Sequence, residues 1–299
     1  MFEITDDKFK KKIMCLFSSL WSSNYNSFFP SQIYDYIERK DLFKLKNFLY
    51  YYYKKNTKKE TKAFLFLFTD SKCENRAVLI VKNLSIYLLD IDCHEDYYKN
   101  TLFDATISED NKIIIYDTIY ISGIKINNYT FIDRITEAVN FKKNTHNPKF
   151  DICEYQEEIN SLNDSLIPFE EEIFIISNNL PIKTGVNRGC FKWQPSNFIY
   201  FSFKVIENED NLILYISNYK KDLAFAKIHS SDPDGKVYIT DIKNLENYKN
   251  ECVIDICFNK NINILRVSEN FPSSLRHVEK LLHIKNENIT INELLITNF

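Results

Sequence analysis

The sequence predicts an α+β protein in two parts: a mixed domain over residues 1–200, then a small antiparallel barrel with C-terminal helices over residues 201–299. Three observations carry this reading. Helical periodicity opens and closes the chain, apolar runs of strand length fill residues 63–119, and short strands follow in quick succession after Pro195.

Residues Asp6 to Trp21 place Phe9, Ile13, Met14, Phe17 and Leu20 on one face of an amphipathic helix. A second helix is expected over Asp41 to Tyr53. Ala63 to Phe68, Ala77 to Lys82 and Ser85 to Asp90 are β-like runs broken by polar turns. Lys112 to Ile119 has the pattern of a buried strand, with Gly123 and a helix from Thr130 to Val139 behind it. A further helix is expected over Glu154 to Leu162 and a strand over Glu172 to Ser177. Beyond Pro195, the short strands are Phe198 to Ile206, Leu212 to Ser217, Leu223 to His229, Val237 to Ile239 and Cys252 to Phe258. Five strands at this spacing suit an OB-type barrel. The chain ends in a helix from Ser274 to Leu282 and a capping box, Thr290-Ile291-Asn292-Glu293.

Composition narrows the function. Hydrophobic residues make up 44% and charged residues 26%, as in a globular protein with an ample core. The formal net charge of −3 gives no global field toward nucleic acid, so any RNA contact must come from a local patch. Seven cysteines form no C-x-x-C pair, and none of the five histidines stands near a cysteine pair, which argues against zinc and for a reducing, intracellular compartment. The sequence shows neither a secretion signal nor a membrane span, and nucleus and cytoplasm are not distinguished. Glycine occurs only four times, at Gly123, Gly185, Gly189 and Gly235.

A series of fragments then appears in order. They are Phe29-Pro30-Ser31-Gln32, Lys72-Cys73-Glu74-Asn75-Arg76, Thr101-Leu102-Phe103-Asp104-Ala105-Thr106 and Ile113-Ile114-Ile115-Tyr116-Asp117 with Asp133-Arg134 behind it. Glu171-Glu172-Ile173-Phe174-Ile175, Phe191-Lys192-Trp193-Gln194-Pro195 and Arg266-Val267-Ser268-Glu269-Asn270-Phe271-Pro272 follow. Their order and spacing resemble the motifs of the mRNA capping guanylyltransferases, in the covalent nucleotidyltransferase superfamily shared with ATP-dependent ligases. The resemblance spans nearly the whole chain. It implies an ATP-grasp-like nucleotidyltransferase domain followed by an OB-fold domain.

The resemblance also implies roles. Lys72 takes the nucleophile position of K-x-D-G-x-R, with Arg76 at the ribose or the lysine loop, Lys192 and Arg266 as neighbouring cations, and Glu171 in the fourth motif. GTP and Mg²⁺ or Mn²⁺ are the implied substrate and ion. The departures are specific: Asn75 replaces the motif glycine, Thr106 a carboxylate, Gln194 a lysine, Ser268 an aspartate and Glu269 a lysine. Asp104 or Glu109 is the candidate to stand in for the carboxylate lost at Thr106. Because catalysis on a triphosphate depends on placed positive charge, these losses lead to the expectation of a decayed enzyme that binds RNA or a ribonucleoprotein particle. The alternative is a divergent active guanylyltransferase that passes GMP through a lysyl intermediate to a 5′-diphosphate RNA end. Transcription machinery is a further candidate partner. The run Tyr50 to Lys55, with Lys58, Lys59 and Lys62, pairs aromatics with positive charge, and Lys54, Lys55, Lys58 and Lys59 are the candidate RNA contacts.

Overall fold

The computed structural model describes residues 1–21, 29, 31–56, 60–145, 149–157, 171–195, 199–208, 211–218, 221–229, 252–258, 262–267, 273–290 and 293–294. Contacts divide the chain into two units, one of Met1–Ile37 and Asp41–Trp193, the other of Glu38–Lys40 and the chain from Gln194.

In the first unit the elements are β1 (Phe2–Glu3), α1 (Asp7–Leu20), β2 (Gln32–Tyr36), α2 (Arg39–Asn47), β3 (Tyr50–Asn56), β4 (Glu60–Thr69), β5 (Asn75–Val81) and β6 (Ile86–Leu89). After them come β7 (Thr101–Ser108), β8 (Ile113–Ile121), β9 (Ile124–Lys125), α3 (Phe131–Asn144), β10 (Phe150–Ile152), β11 (Glu171–Ser177) and β12 (Gly185–Trp193). Among the described residues they form two sheets. The larger runs β1-β6-β5-β4-β7-β8-β10, with β9 on β8, and the smaller runs β2-β12-β11-β3.

Strand β4 shows why the larger sheet is covered on both faces. Ala63, Leu65 and Leu67 alternate with Phe64, Phe66 and Phe68, and both sets are buried. The first set packs with Ala138 and Phe141 of α3. The second packs with Ile13, Met14 and Phe17 of α1, and the Phe17 ring lies 5.1 Å from that of Phe64. Helix α1 begins where expected because the Asp6 carboxylate accepts from the backbone N–H groups of Lys8 and Phe9. Beneath α3, Arg134 makes a two-pronged ion pair with Asp117 of β8, at 2.7 and 2.9 Å, and is 1% exposed.

Two helix expectations are corrected. The second helix stops at Asn47, and Tyr50 to Tyr53 form a strand instead. Four consecutive aromatics favour the pleated backbone, and here both faces of the strand bury them. Glu154 to Gln156 is not helical either. Gln156 exchanges backbone hydrogen bonds with Tyr52 at 2.8 and 2.9 Å, and residues 158–162 lie outside the described residues.

Gly123 sits in the left-handed region at φ +83°, and a Cβ there would lie 2.9 Å from the Lys99 carbonyl oxygen. Gly123→Ala is therefore expected to cost about 1–3 kcal/mol of stability, read as a lower midpoint in urea denaturation.

The second unit contains β13 (Tyr200–Asn208), β14 (Asn211–Asn218), β15 (Lys221–His229), β16 (Cys252–Phe258), β17 (Ile262–Val267) and α4 (Leu275–Glu287). All the strand pairs are antiparallel, in the order β15-β14-β13-β16-β17. Four of the five short strands expected from the spacing form β13 to β16, and β17 was not among those expected. Among the described residues β15 and β17 do not pair, so the sheet is described as open. The turn at Asp232–Gly235 and the strand expected at Val237–Ile239 lie outside the described residues. The capping box forms as expected: Thr290 N–H donates to the Glu293 carboxylate at 2.8 Å, and Glu293 N–H to the Thr290 hydroxyl at 3.3 Å. No helix among the described residues is long and apolar enough to cross a membrane.

Candidate active site

The smaller sheet carries charge on one face. Lys55 pairs in register with Glu172, Tyr53 with Phe174, Phe174 with Lys192, and Lys192 with Tyr36. Directly paired residues point to the same side, and residues two apart on a strand share a face. Lys55, Glu172 and Lys192 therefore stand on one surface. That surface meets the larger sheet through Tyr53, whose ring lies 5.1 Å from the Tyr116 ring of β8.

The opposing strands supply Glu60 and Lys62 from β4, Asp104 and Thr106 from β7, and Tyr116. Lys62 and Asp104 form a close ion pair, and the Asp104 side chain is 2% exposed. Thr106 donates its hydroxyl hydrogen to Glu60 Oε2 at 2.8 Å, and Tyr116 donates to the same oxygen at 2.6 Å. Lys55 Nζ lies 4.7 Å from the centre of the Tyr116 ring and 5.9 Å from that of Phe174.

The two lysines of the smaller sheet are tuned in opposite directions. Burial disfavours the ammonium form of Lys55, and Lys62 nearby adds to that, so its pKa falls to about 8. Lys62 is matched by Asp104, whereas Lys55 has no ion-pair partner among the described residues. At pH 7.5 about a quarter of Lys55 is then the free amine, against about 0.1% for an ordinary lysine. Burial pushes Lys192 the same way, but Tyr36 and Glu172 outweigh it and its pKa is raised. Lys192 Nζ lies 3.2 Å from Glu172 Oε1 and 4.2 Å from the Tyr36 ring centre. The arrangement supplies one amine able to act as a nucleophile and one fixed cation.

The residues expected from the sequence divide between places. Lys192 is in this cluster. Lys72 is not: it is exposed in the turn joining β4 to β5, where its N–H donates to Asp70 at 2.7 Å. Arg76 pairs with Asp70 and Glu74 of the same turn. The ten residues of β4 separate that turn from Glu60 and Lys62, a span of roughly 30 Å. Lys72 and Arg76 instead line an open groove of about 640 Å³ against Lys8, Phe9 and Lys12 of α1.

Glu171 and Arg266 lie on β11 and β17, and their side chains are outside the described set. Ser268 and Glu269 lie outside it altogether, as do Lys58 and Lys59. Lys54 and Lys55, expected as RNA contacts beside the tyrosines, are both half-buried on β3. Tyr50 to Tyr53 are buried and offer no face to a base, and Lys55 faces the larger sheet. Of the two carboxylates expected to replace the one lost at Thr106, Glu109 is exposed in the turn after β7 and Asp104 is engaged by Lys62. Sequence reasoning did not single out Glu60, whose only signal is its alternation along β4, and it read Lys62 only as one charge of the basic run after Tyr53.

Among the described residues no three His, Cys, Asp or Glu side chains cluster as a metal site.

No family model matches the sequence, and no curated protein matches it. Solved structures do. A structure from a study of Lig E DNA ligases is similar over 80% of this chain and 99% of its own, at 11% identity and a TM-score of 0.38. The ligase domain of M. tuberculosis LigD is similar over 89% of this chain and 99% of its own, at 8% identity and a TM-score of 0.37.

Proposed function

We propose that this chain is a covalent nucleotidyltransferase in which the Lys55 amine, not Lys72, attacks the α-phosphate of a nucleoside triphosphate. The observation that carries the reading is the half-buried Lys55 against the Tyr116 and Phe174 rings, its pKa lowered to about 8 and with no ion-pair partner among the described residues. In the step, Lys55 gives up its proton and a bond forms from Nζ to the α-phosphorus. The bond from that phosphorus to pyrophosphate breaks, leaving a lysyl–nucleotide intermediate. Lys192, held charged by Glu172 and Tyr36, is the cation that meets the phosphate charge. Buried Asp104 keeps Lys62 in place beside Lys55.

The resemblance to capping guanylyltransferases supports GTP as donor, Mg²⁺ or Mn²⁺ as the accompanying ion, and a 5′-diphosphate RNA end as acceptor. It also supports an OB fold for the second unit, whose five strands are antiparallel. A second reading, the decayed enzyme bound to RNA or a ribonucleoprotein particle, is favoured by the replacements at Thr106 and Gln194 and by the engagement of Lys62 with Asp104.

The deciding experiment incubates the protein with GTP or ATP labelled at the α-phosphate, with Mg²⁺ or Mn²⁺, and maps any labelled peptide. An alkali-stable label on the peptide containing Lys55, released by acid and by acidic hydroxylamine as a phosphoramidate is, is expected. A folded protein that takes no label from either nucleotide moves the conclusion to the decayed enzyme.

A further inference from the structure

The groove beside Lys72 has no part in the proposed step. It runs between α1 and the β4–β5 turn, and its charges are unequally matched. Asp6 is occupied at the start of α1, where it accepts from the N–H groups of Lys8 and Phe9. Asp70 accepts from the N–H groups of Lys72 and Glu74 at 2.7 and 3.1 Å, and from Arg76 Nε at 3.2 Å. Arg76 also pairs with Glu74, so its charge is met within the turn. Lys8, Lys12 and Lys72 line the same groove, are exposed, and have no ion-pair partner among the described residues. Lys8 and Lys12 are four residues apart on a helix and so share one side of α1. A chain of net charge −3 thus carries here a local excess of positive charge.

Much of the remaining lining is apolar. Phe9 and Leu16 are half-buried against the core, and Phe68 is 3% exposed. This surface can seat an aliphatic or aromatic side chain, but it holds no free-standing ring on which a base could stack, as single-stranded nucleic acid uses. We infer that the groove docks an acidic peptide segment of a partner protein. Its Asp and Glu side chains meet Lys8, Lys12 and Lys72, and a leucine or phenylalanine between them rests against Phe9 and Leu16. Charge complementarity selects this occupant, since a basic or neutral segment would leave three cations unmatched. The turn stands roughly 30 Å along β4 from Glu60 and Lys62, so docking does not involve Lys55 or depend on the nucleotide-site reading.

The test is fluorescence anisotropy of the full chain with short labelled probes. One peptide carries Asp and Glu with Leu or Phe at every third or fourth position. A second keeps the acids and has Ser at the apolar positions, a third has Lys in place of the acids, and the fourth probe is oligouridylate. Wild type should bind the first peptide best, more weakly as salt rises, the second several-fold more weakly, and the third not at all. Lys12→Glu combined with Lys72→Glu should weaken the first peptide by about tenfold or more, because each reversal turns an attraction into a repulsion. Lys143→Glu, on α3 and outside the groove, should leave it unchanged.

Failure of wild type to bind the first peptide overturns the inference, as does an equal loss in Lys143→Glu and the groove variant. Equal affinity for the serine peptide also overturns it, by removing the apolar contact. Oligouridylate bound in preference to the first peptide, and lost in the groove variant, overturns it by making the groove a nucleic-acid surface. If the double charge reversal does not fold, Lys12→Ala with Lys72→Ala is expected to weaken the first peptide several-fold, and unchanged binding there overturns the inference. Each outcome is read without nucleotide, so labelling at Lys55 stands or falls separately.

Discussion

Lys55→Ala abolishes labelling by nucleotide, a loss on the order of 10³-fold or more, while Lys72→Ala labels as wild type does. The contrast follows from where each lysine stands. Lys72 is exposed in the β4–β5 turn, whereas Lys55 is half-buried against Tyr116 and Phe174. The same cause gives a pH signature. Only the free amine attacks, so the labelling rate should climb about tenfold per pH unit below about 8 and flatten above it. Lys62→Met should move that inflection upward, because it removes a cation that disfavours protonation of Lys55 and frees Asp104 to favour it. An inflection left in place by Lys62→Met would separate Lys55 from the group that titrates. The sign also appears in folding. Between about 8 and 10.5 the unfolded chain holds more proton on this lysine than the folded chain does, so stability contributed by Lys55 rises with pH across that window.

The second large effect is on stability. Arg134→Ala is expected to cost about 3–5 kcal/mol, because it strands the Asp117 carboxylate in the core. Burial alone would favour loss of the Arg134 proton, but Asp117 at 2.7 Å raises its pKa, so the pair stays ionised. Asp117→Ala should cost a similar amount. Arg134→Met combined with Asp117→Leu should recover much of the loss, since apolar replacement of both partners leaves no stranded charge. Equilibrium urea unfolding of the four proteins reads this directly. Single variants as stable as wild type would show that the pair is not the buried contact it forms here.

The fold was largely legible because its strands and outer helices obey simple periods. Phe64, Phe66 and Phe68 alternate with leucine and alanine, and Ile13, Met14 and Phe17 recur at helical spacing. The misreadings came from segments where type and period disagree. Tyr50 to Tyr53 follow a helical stretch without a glycine or proline stop, so the helix was expected to continue through them. Placing them on a helix end made Lys55 look solvated and left Lys72 as the apparent nucleophile on motif spacing alone.

Lys192 was visible because a tryptophan and a proline fix its motif, and Glu172 lies one residue from the position expected for the fourth-motif carboxylate. Glu60 carries no signal beyond the alternation along β4, and Lys62 stands out only as one charge of a basic run. Their partners, Thr106 and Asp104, are more than forty residues away, and only pairing between β4 and β7 brings them together.

Lys55 and Glu60 lie on different sheets yet are close neighbours in the chain. Four peptide units join Asn56 at the end of β3 to Glu60 at the start of β4, a reach of at most about 15 Å. That short tether limits how far the two sheets can part at this edge. Any parting of the sheets to admit a triphosphate is then expected to be smallest at this edge. Lengthening the tether with inserted glycines should then loosen nucleotide capture without changing any side chain that touches the nucleotide.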